Sequence, residues 1–240
     1  MSTERNRKPP AGKLVLQGAA LLGGAALVSK LIGTLQKIPL QNVAGDEVFG
    51  LYSAVYALAV MWMTLAAAGV PTAVSVLVAE READGDKAGG QRVVRWSLGL
   101  LCASGLLAFA ILQVGAPLFA GWMGVPDAAA AIRTSSIALL FAPATAVLRG
   151  YRQGQMRMAR PAVSQIVEQT ARVAFMLVML VAAVQAGWTA SASTAAVHGG
   201  LAAGAIAGLA AMLWPVRNKT VWIRAAGAKK VYSPDRSDMP

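Results

Sequence analysis

Four polar side chains interrupt residues 160–180, an apolar stretch that is otherwise typical of a membrane span. They are Gln165, Glu168, Gln169 and Arg172, spaced i, i+3, i+4 and i+7. On a helix of 3.6 residues per turn this spacing places all four on one face. Two interpretations are open. Either Glu168 and Arg172 form a structural ion pair one turn apart, or the face lines a polar cavity used in transport.

The depth of the two charged residues determines how much they cost. In a helix that begins near Ala162, Glu168 lies roughly 9 Å and Arg172 roughly 15 Å along the axis. The second depth is close to the middle of a hydrocarbon core ~30 Å thick. A charge there costs at least ~2.5–3.5 kcal/mol, so we expect both side chains to face protein or water rather than lipid.

The composition is that of a polytopic membrane protein. Of 240 residues, 56% are hydrophobic and only 14% are charged, whereas a soluble domain carries about 25% charged residues. The net charge of +11 would suggest nucleic acid in a soluble protein. Here the basic residues lie between apolar stretches, which indicates topology signals and headgroup contacts and no nucleic-acid partner.

The sequence offers little for enzymatic chemistry. It contains one cysteine and one histidine, so neither an intrachain disulfide nor a zinc or haem ligand set can be formed. It has no P-loop, GxSxG, HExxH or CxxC motif. Glu168 is the only carboxylate deep in a span, and one carboxylate makes a poor hydrolase. We therefore predict that the chain is not an enzyme and has no cofactor.

The hydropathy pattern predicts an all-α integral membrane fold, a six-transmembrane-helix bundle between an N-terminal tail, residues 1–13, and a basic tail, residues 216–240. The predicted spans are approximately residues 14–35, 48–79, 96–119, 134–148, 162–186 and 192–214. Eighteen Lys and Arg residues fall in the tails and in two alternate loops, against two in the loops on the other side. This bias predicts that both termini are cytoplasmic.

The second predicted span is too long for a straight crossing. Residues 48–79 would form a helix of roughly 48 Å. Gly69 and Pro71 offer a break, which is either a packing kink or a hinge. In the last span, Gly200, Gly204 and Gly208 form a GxxxG ladder, which predicts close helix packing and no chemistry.

Two lysines stand near the far end of the first predicted span. Lys30 and Lys37 share one face with Gly33. Snorkelling to the headgroups accounts for Lys37. Lys30 lies about two turns deeper, where contact with headgroups is a weaker explanation, and it becomes a second candidate for an internal cation.

Three segments of the sequence resemble a known family. They read VSKLIGTLQKIPLQNVAGDEVFGLYSAVYAL (residues 28–58), AAAGVPTAVSVLVAE (residues 66–80) and LRGYRQGQMRMARPAVSQIVEQTARV (residues 148–173). They are similar to segments of the stage V sporulation protein B-like polysaccharide transporters. Those belong to the superfamily of multidrug, oligosaccharidyl-lipid and polysaccharide exporters, which includes the MurJ-type lipid II flippases. With their helices, the segments cover residues 14–215.

The resemblance implies one lobe of a two-lobe flippase fold that opens alternately to each side of the membrane. The partners it implies are membrane lipids, a polyprenyl-pyrophosphate-linked glycan, and either a missing C-terminal lobe or a second half-size chain. It also implies a bacterial cell membrane and a role in cell-wall biogenesis or sporulation. One lobe alone does not enclose an alternating-access path.

The resemblance also implies roles for particular residues. Lys30 corresponds to the basic position of the family's S-K/R-x-x-G pattern, and Arg149 corresponds to the arginine of RGY-x-QG. Gln165, Glu168 and Arg172 correspond to the polar face of SQxxEQxxR, where sugar hydroxyls would find partners. Together with Lys37 and Gln169, these residues form the predicted substrate site. Its cations would attract a pyrophosphate.

Three functional questions stay open at this stage. Glu168 could also bind a coupling cation or a proton. Gln36 followed by Lys37 stands where MurJ-type members carry a further arginine, which weakens the case for lipid II in particular. A drug/cation antiporter of the same superfamily and a non-transporting membrane scaffold for cell-wall or spore-coat assembly are the alternative functions.

Overall fold

The computed structural model describes residues 11–67 and 69–214. Within these residues the protein is an all-α bundle of eight α-helices with two short 3-10 turns, residues 126–128 and 137–140, and no strand. The helices are α1 (Ala11–Leu35), α2 (Lys37–Ala67), α3 (Val70–Ala83), α4 (Lys87–Trp122), α5 (Ala129–Ser136), α6 (Ala142–Gly154), α7 (Ala159–Gln185) and α8 (Ala190–Leu213). The predicted tails, residues 1–13 and 216–240, lie almost wholly outside the described residues.

Five helical segments of the described chain are long and apolar enough to cross a membrane. They are Leu16–Ala83, Lys87–Trp122, Pro126–Gly154, Ala159–Gln185 and Ala190–Leu213. The first contains 68 residues, about 102 Å of straight helix, so it is far longer than one crossing. It includes both of the first two predicted spans. The all-α multi-pass membrane fold is therefore confirmed, and the number of six crossings stays a prediction.

Three local breaks divide that first segment. Gln36 separates α1 from α2, and within α2 the backbone of Gly45 is non-helical, with φ 79° and ψ 166°. Gly69, with φ 71°, precedes α3 and is followed by Pro71 in the first turn of that helix. Glycine tolerates positive φ, and proline fits a helix N-terminus because it lacks the N–H that would have no partner there. Gly69 and Pro71 therefore stand at a helix break, as their types predict.

Helix α8 occupies the centre of the bundle. It packs against α7 along its length and also contacts α2, α5 and α6. About half of the residues in its most apolar window are buried, compared with 17% for the corresponding window of α7. The outward faces of α1, α4 and α7 carry exposed aliphatic side chains, such as Leu100 and Val114. In a bilayer these faces can contact acyl chains without cost.

A tight turn sets α7 and α8 side by side. Gly187 has φ 62°, and Thr189 caps α8 by accepting a hydrogen bond on Oγ1 from the amide of Ala192 at 3.3 Å. The predicted GxxxG ladder lies on the α7-facing side of α8. A Cβ on Gly200 would approach the Arg172 carbonyl to 2.7 Å. The ladder thus permits the close packing that its spacing predicts.

Helices α3 and α6 also approach closely through glycine. A Cβ on Gly150 would lie 2.6 Å from the Pro71 carbonyl oxygen, and one on Gly154 would lie 2.6 Å from the Ser75 carbonyl oxygen. Both glycines belong to the sequence RGYRQG and are one helical turn apart. They fix α6 against α3, directly after the break at Gly69.

The predicted span of residues 134–148 differs from the structure. The segment there runs from Pro126 to Gly154 and is divided among a 3-10 turn, α5, a second 3-10 turn and α6. Pro143 lies in the first turn of α6 rather than inside a helix. Next to it, Gly105 of α4 contacts the Leu139 carbonyl and the Pro143 ring so closely that a Cβ would overlap both.

The α3–α6 contact predicts a difference between glycines in helices. Gly150→Ala and Gly154→Ala should each destabilise the protein by about 1–3 kcal/mol, because the added methyl group meets backbone atoms that cannot move independently. Gly99→Ala in α4 is the control, since a Cβ there meets nothing within 4 Å. It should be neutral or stabilising by up to about 1 kcal/mol. Thermal unfolding in detergent measures all three, and equal melting temperatures would contradict the packing described.

Candidate functional site

Three charged side chains meet where α6, α7 and α8 pack together. Arg149 of α6 donates from Nη2 to Oε2 of Glu168 at 2.6 Å. Arg172, one turn further along α7, donates from Nη2 to Oε1 of Glu168 at 3.2 Å. Glu168 thus binds a different arginine with each carboxylate oxygen. The Glu168–Arg172 ion pair, one of the two interpretations of the spacing, is present, and the same carboxylate also binds Arg149 of α6.

Ser164 connects these charges to the backbone of α8. Its Oγ accepts hydrogen bonds from Nε of Arg149 at 3.2 Å and from Nη2 at 2.9 Å. The same hydroxyl donates to the carbonyl of Gly208 at 2.7 Å. The Arg149 guanidinium is therefore oriented by two residues of α7. We call Arg149, Ser164, Glu168 and Arg172 the charge cluster.

Glycines of α8 make room for the charge cluster. A Cβ on Gly208 would lie 3.0 Å from Oε2 of Glu168 and 3.3 Å from Nη2 of Arg149. A Cβ on Gly204 would lie 2.8 Å from the Glu168 carbonyl and 3.0 Å from Cβ of Arg172. Larger residues at either position would separate α8 from α7. The ladder is therefore a packing device, as predicted, and it packs directly against the charges.

The charge cluster is largely buried and carries an excess positive charge. The side chains of Arg149, Glu168 and Arg172 are 19%, 17% and 14% exposed. Two guanidiniums and one carboxylate give a formal charge of +1. Nε of Arg172 is buried and has no hydrogen-bond partner among the described residues. The site therefore has donor capacity for an additional anionic or polar group.

The remaining polar residues of the same helical face are turned toward α1. Ser29 of α1 donates to the backbone carbonyl of Gln165 at 3.5 Å. The side-chain amide of Gln169 lies over Gly33, where a Cβ would come within 2.7 Å of its Nε2. The polar face of α7 is thus shared between two neighbours: Glu168 faces α6 and α8, and the two glutamines border α1.

Lys30 and Lys37 form no hydrogen bond or ion pair with the charge cluster. Both side chains are exposed, and neither ammonium group forms a hydrogen bond or ion pair within the described part of the chain. Lys30 lies between Ser29 and Gly33, the residues through which α1 contacts α7. It therefore borders the α1–α7 contact with a free charge.

The predicted hinge connects to the charge cluster through α6. Pro71 contacts Gly150, and Gly150 directly follows Arg149. The glycines of RGYRQG thus face α3, while the arginine faces α7. Pro71, two residues after Gly69, is thus packed against the helix that carries Arg149, and the hinge role of Gly69 and Pro71 stays a prediction.

A second cluster of buried polar side chains, around Tyr52 and His198, is not predicted by the sequence analysis. Gln36 donates from Nε2 to the Tyr52 hydroxyl at 3.2 Å, and the Tyr52 ring lies 4.8 Å from the His198 ring, between centroids. His198 is 1% exposed, and its Nδ1 lies 2.9 Å from the Thr194 carbonyl. A carbonyl only accepts, so Nδ1 carries a hydrogen, and Nε2 is buried with no partner among the described residues. The sequence signal for this contact is the four-residue spacing of Thr194 and His198, which places the histidine one helical turn beyond the carbonyl that it binds.

Comparisons with known proteins agree with this architecture. The family model described as "Polysaccharide biosynthesis protein" matches residues 15–231, which is most of the chain. The chain belongs to this family. The match includes every helix that contributes to the charge cluster and both exposed lysines. No solved structure shows a significant match.

The chain is similar to three proteins of Bacillus subtilis (strain 168). "Lipid II flippase MurJ" is 29% identical over 68% of this chain and 32% of its own length. "Uncharacterized membrane protein YabM" is 31% identical over 81% of this chain and 36% of its own. "Stage V sporulation protein B" is 30% identical over 68% and 32%. The chain spans about a third of the length of each relative.

The charge cluster predicts an order among charge-removing substitutions. Glu168→Gln leaves two buried guanidiniums facing each other at a charge of +2, whereas Arg149→Gln or Arg172→Gln leaves one neutral pair. Removing one partner of a buried ion pair costs about 3–5 kcal/mol, and Glu168→Gln should show this cost. Each arginine variant should lose less.

Unfolding of the purified chain in detergent measures this order. Glu47→Gln is the control, because Glu47 is exposed and its variant should stay within about 0.5 kcal/mol of the wild type. A larger loss for either arginine variant than for Glu168→Gln would contradict the shared carboxylate.

Proposed function

We propose that this chain is one lobe of a membrane flippase. Its substrate would be a polyprenyl-pyrophosphate-linked oligosaccharide or a peptidoglycan precursor, moved from the inner to the outer leaflet by alternating access. The observation that carries this proposal is the positive charge excess of Arg149, Glu168 and Arg172 inside a membrane bundle. Family membership and the names of two relatives support it.

A pyrophosphate is the ligand whose chemistry fits the charge cluster. Guanidinium groups present forked donors that match phosphate oxygens. Glu168 satisfies only one Nη atom of each arginine, and Nε of Arg172 has no partner among the described residues. A pyrophosphate would compete with Glu168 for both arginines. A pyrophosphate carries more negative charge than a carboxylate, so it would neutralise the positive charge that Glu168 alone leaves uncompensated.

Glu168 then provides a route to ion coupling. In the arrangement observed, both carboxylate oxygens are occupied by guanidiniums, so a cation or proton has to displace an arginine. If the pyrophosphate accepts the hydrogen bonds of both arginines, Glu168 loses both of its partners at the same time. Substrate binding would thus favour uptake of a proton or cation at Glu168.

The exposed cations and the amides would serve other parts of the substrate. Lys30 and Lys37 have no partner among the described residues and would attract phosphate before it reaches the charge cluster. Gln165 and Gln169 lie beside α1 and offer amide groups for sugar hydroxyls. The break at Gly69 and Pro71 would act as a hinge that moves Arg149 through the α3–α6 contact.

A complete transporter and its orientation in the membrane are part of the proposed function. In this proposal the transport path includes further helices, from a C-terminal lobe or from a second chain, and the length of the relatives, of which this chain covers about a third, supports it. Both termini would lie in the cytoplasm of a bacterial cell, as the positive-inside bias of the sequence predicts. In this proposal the protein binds and moves its cargo and performs no covalent chemistry.

The charge of Lys30 supplies a test with little risk to folding, because the side chain is exposed. Lys30→Gln should weaken binding of undecaprenyl pyrophosphate about five-fold, the loss expected for one basic contact at a membrane surface. It should leave binding of a cationic dye unchanged or slightly stronger. Lys87→Gln removes an exposed lysine at the start of α4 and should change neither.

Native mass spectrometry of the chain in detergent gives both affinities. The reverse ranking, with cationic dye binding reduced and pyrophosphate binding unaffected, would favour a drug antiporter. No detectable binding of either ligand to the folded wild type would favour a membrane scaffold.

A further inference from the structure

A groove lies between α3 and α4, away from the charge cluster. It has a volume of about 510 Å³ and opens to the surface. Side chains and backbone of two helices and their connecting turn line it: Leu77, Arg81, Asp86, Gly89, Arg92, Val93, Trp96 and Ser97. Neither the family match nor the proposed transport path assigns a role to it.

The lining residues follow one face of each helix. On α4, Gly89, Arg92, Val93 and Trp96 are spaced i, i+3, i+4 and i+7 and so form one stripe. On α3, the turn before Arg81 contributes Leu77. Arg81 and Asp86 lie nearest the α3–α4 turn, and Arg92 and Val93 lie side by side further along α4. Leu77, Trp96 and Ser97 line the far end. The charged groups are therefore concentrated toward the turn, and the far end, roughly 10 Å away, is lined mainly by Leu77 and the Trp96 indole.

The polar end carries an excess of positive charge. Asp86 is the only carboxylate in the groove, and its Oδ1 already accepts a hydrogen bond from the amide of Gly89 at 2.8 Å as the N-cap of α4. Its Oδ2 lies 3.9 Å from Nη1 of Arg81, a weak pair between half-exposed groups. Arg92 forms no ion pair within the described residues. One phosphodiester would balance this excess.

The length of α4 places the groove near the membrane surface. Its 36 residues extend about 54 Å, roughly 24 Å more than a hydrocarbon core requires. The charged residues Lys87, Arg92 and Arg95 at the start of α4 indicate that the excess length lies at this end. The turn between α3 and α4 then projects beyond the acyl chains. Trp96 is 80% exposed, and an exposed indole ten residues into such a helix is typical of the interface.

We propose that this groove binds an anionic glycerophospholipid, with the phosphate between Arg81 and Arg92 and an acyl chain along Leu77, Val93 and Trp96. The order of polar and apolar groups in the groove matches the order of headgroup and chain in the lipid. The positive excess selects a lipid with net negative charge over a zwitterionic one. The site is separate from the charge cluster, and the proposal does not depend on transport.

The test compares two arginines of the same helix. Arg92 lines the groove, whereas Arg95, three residues on, is exposed and does not. Arg92→Gln should weaken binding of phosphatidylglycerol to the full chain about five-fold, and Arg81→Gln should do the same. Arg95→Gln, which has the same charge change at nearly the same depth, should bind as the wild type does. Native mass spectrometry with titrated lipid measures each dissociation constant.

A substitution of Asp86 gives a change in the opposite direction. Asp86→Asn retains an N-cap acceptor for the Gly89 amide, so α4 should keep its start. It removes the one negative charge of the groove, and phosphatidylglycerol should bind about five-fold more tightly. Because this variant gains affinity, misfolding cannot imitate the expected result.

Two controls complete the experiment. Phosphatidylcholine should bind weakly to the wild type, and its affinity should not respond to Arg92→Gln. Glycerol 1-phosphate at millimolar concentration should not displace phosphatidylglycerol, because the acyl contacts are part of the site. Equal losses for Arg92→Gln and Arg95→Gln, or equal binding of the two lipids, would overturn the proposal.

Discussion

A carboxylate shared between two arginines is the interaction on which the interior of this protein depends. Glu168 binds Arg149 of α6 and Arg172 of its own helix, and all three side chains are less than one-fifth exposed. In a medium of low dielectric constant such charges are tolerated only when they are paired and hydrogen-bonded. Ser164 completes the pairing by joining Arg149 to the α8 backbone. The positions of α6, α7 and α8 are therefore set by one arrangement of charges, and the glycines of α8 are what allow it to form.

The sequence RGYRQG combines two tasks in one turn of helix. Arg149 faces α7 and enters the charge cluster, whereas Gly150 and Gly154 hold α6 against α3. The break before α3 and the charges on α7 are thus joined by a single short helix. A ligand that draws Arg149 away from Glu168 would act on the α3–α6 contact as well. In the proposed function, this linkage would couple substrate binding to helix movement.

Sequence alone predicted the class of fold and much of the charge cluster. Apolar stretches of 20 or more residues require membrane helices, and the spacing of Glu168 and Arg172 required a common face. The Gly200–Gly204–Gly208 ladder was also interpreted correctly, because small residues at this spacing have one main structural use.

The pairing of Arg149 with Glu168 was not predicted. It joins two separate helices, and no local sequence pattern determines how each helix is rotated about its axis. The resemblance places Lys30 and Arg172 in one substrate site, and no hydrogen bond or ion pair links Lys30 to the charge cluster. The surroundings of His198 were not predicted either, because the Tyr52 ring that packs on it comes from α2 and is held by Gln36 at the α1–α2 break.

The central claim is that the arginines of the charge cluster are held by Glu168 until an anionic headgroup replaces it. Affinity of the folded Glu168→Gln variant for undecaprenyl pyrophosphate tests this claim most directly. Removing the competing carboxylate should tighten binding about ten-fold, the effect of ~1.4 kcal/mol, even though the unliganded variant is less stable. Unchanged or weaker binding by the folded variant would show that Glu168 and its arginines serve the packing of the helices alone.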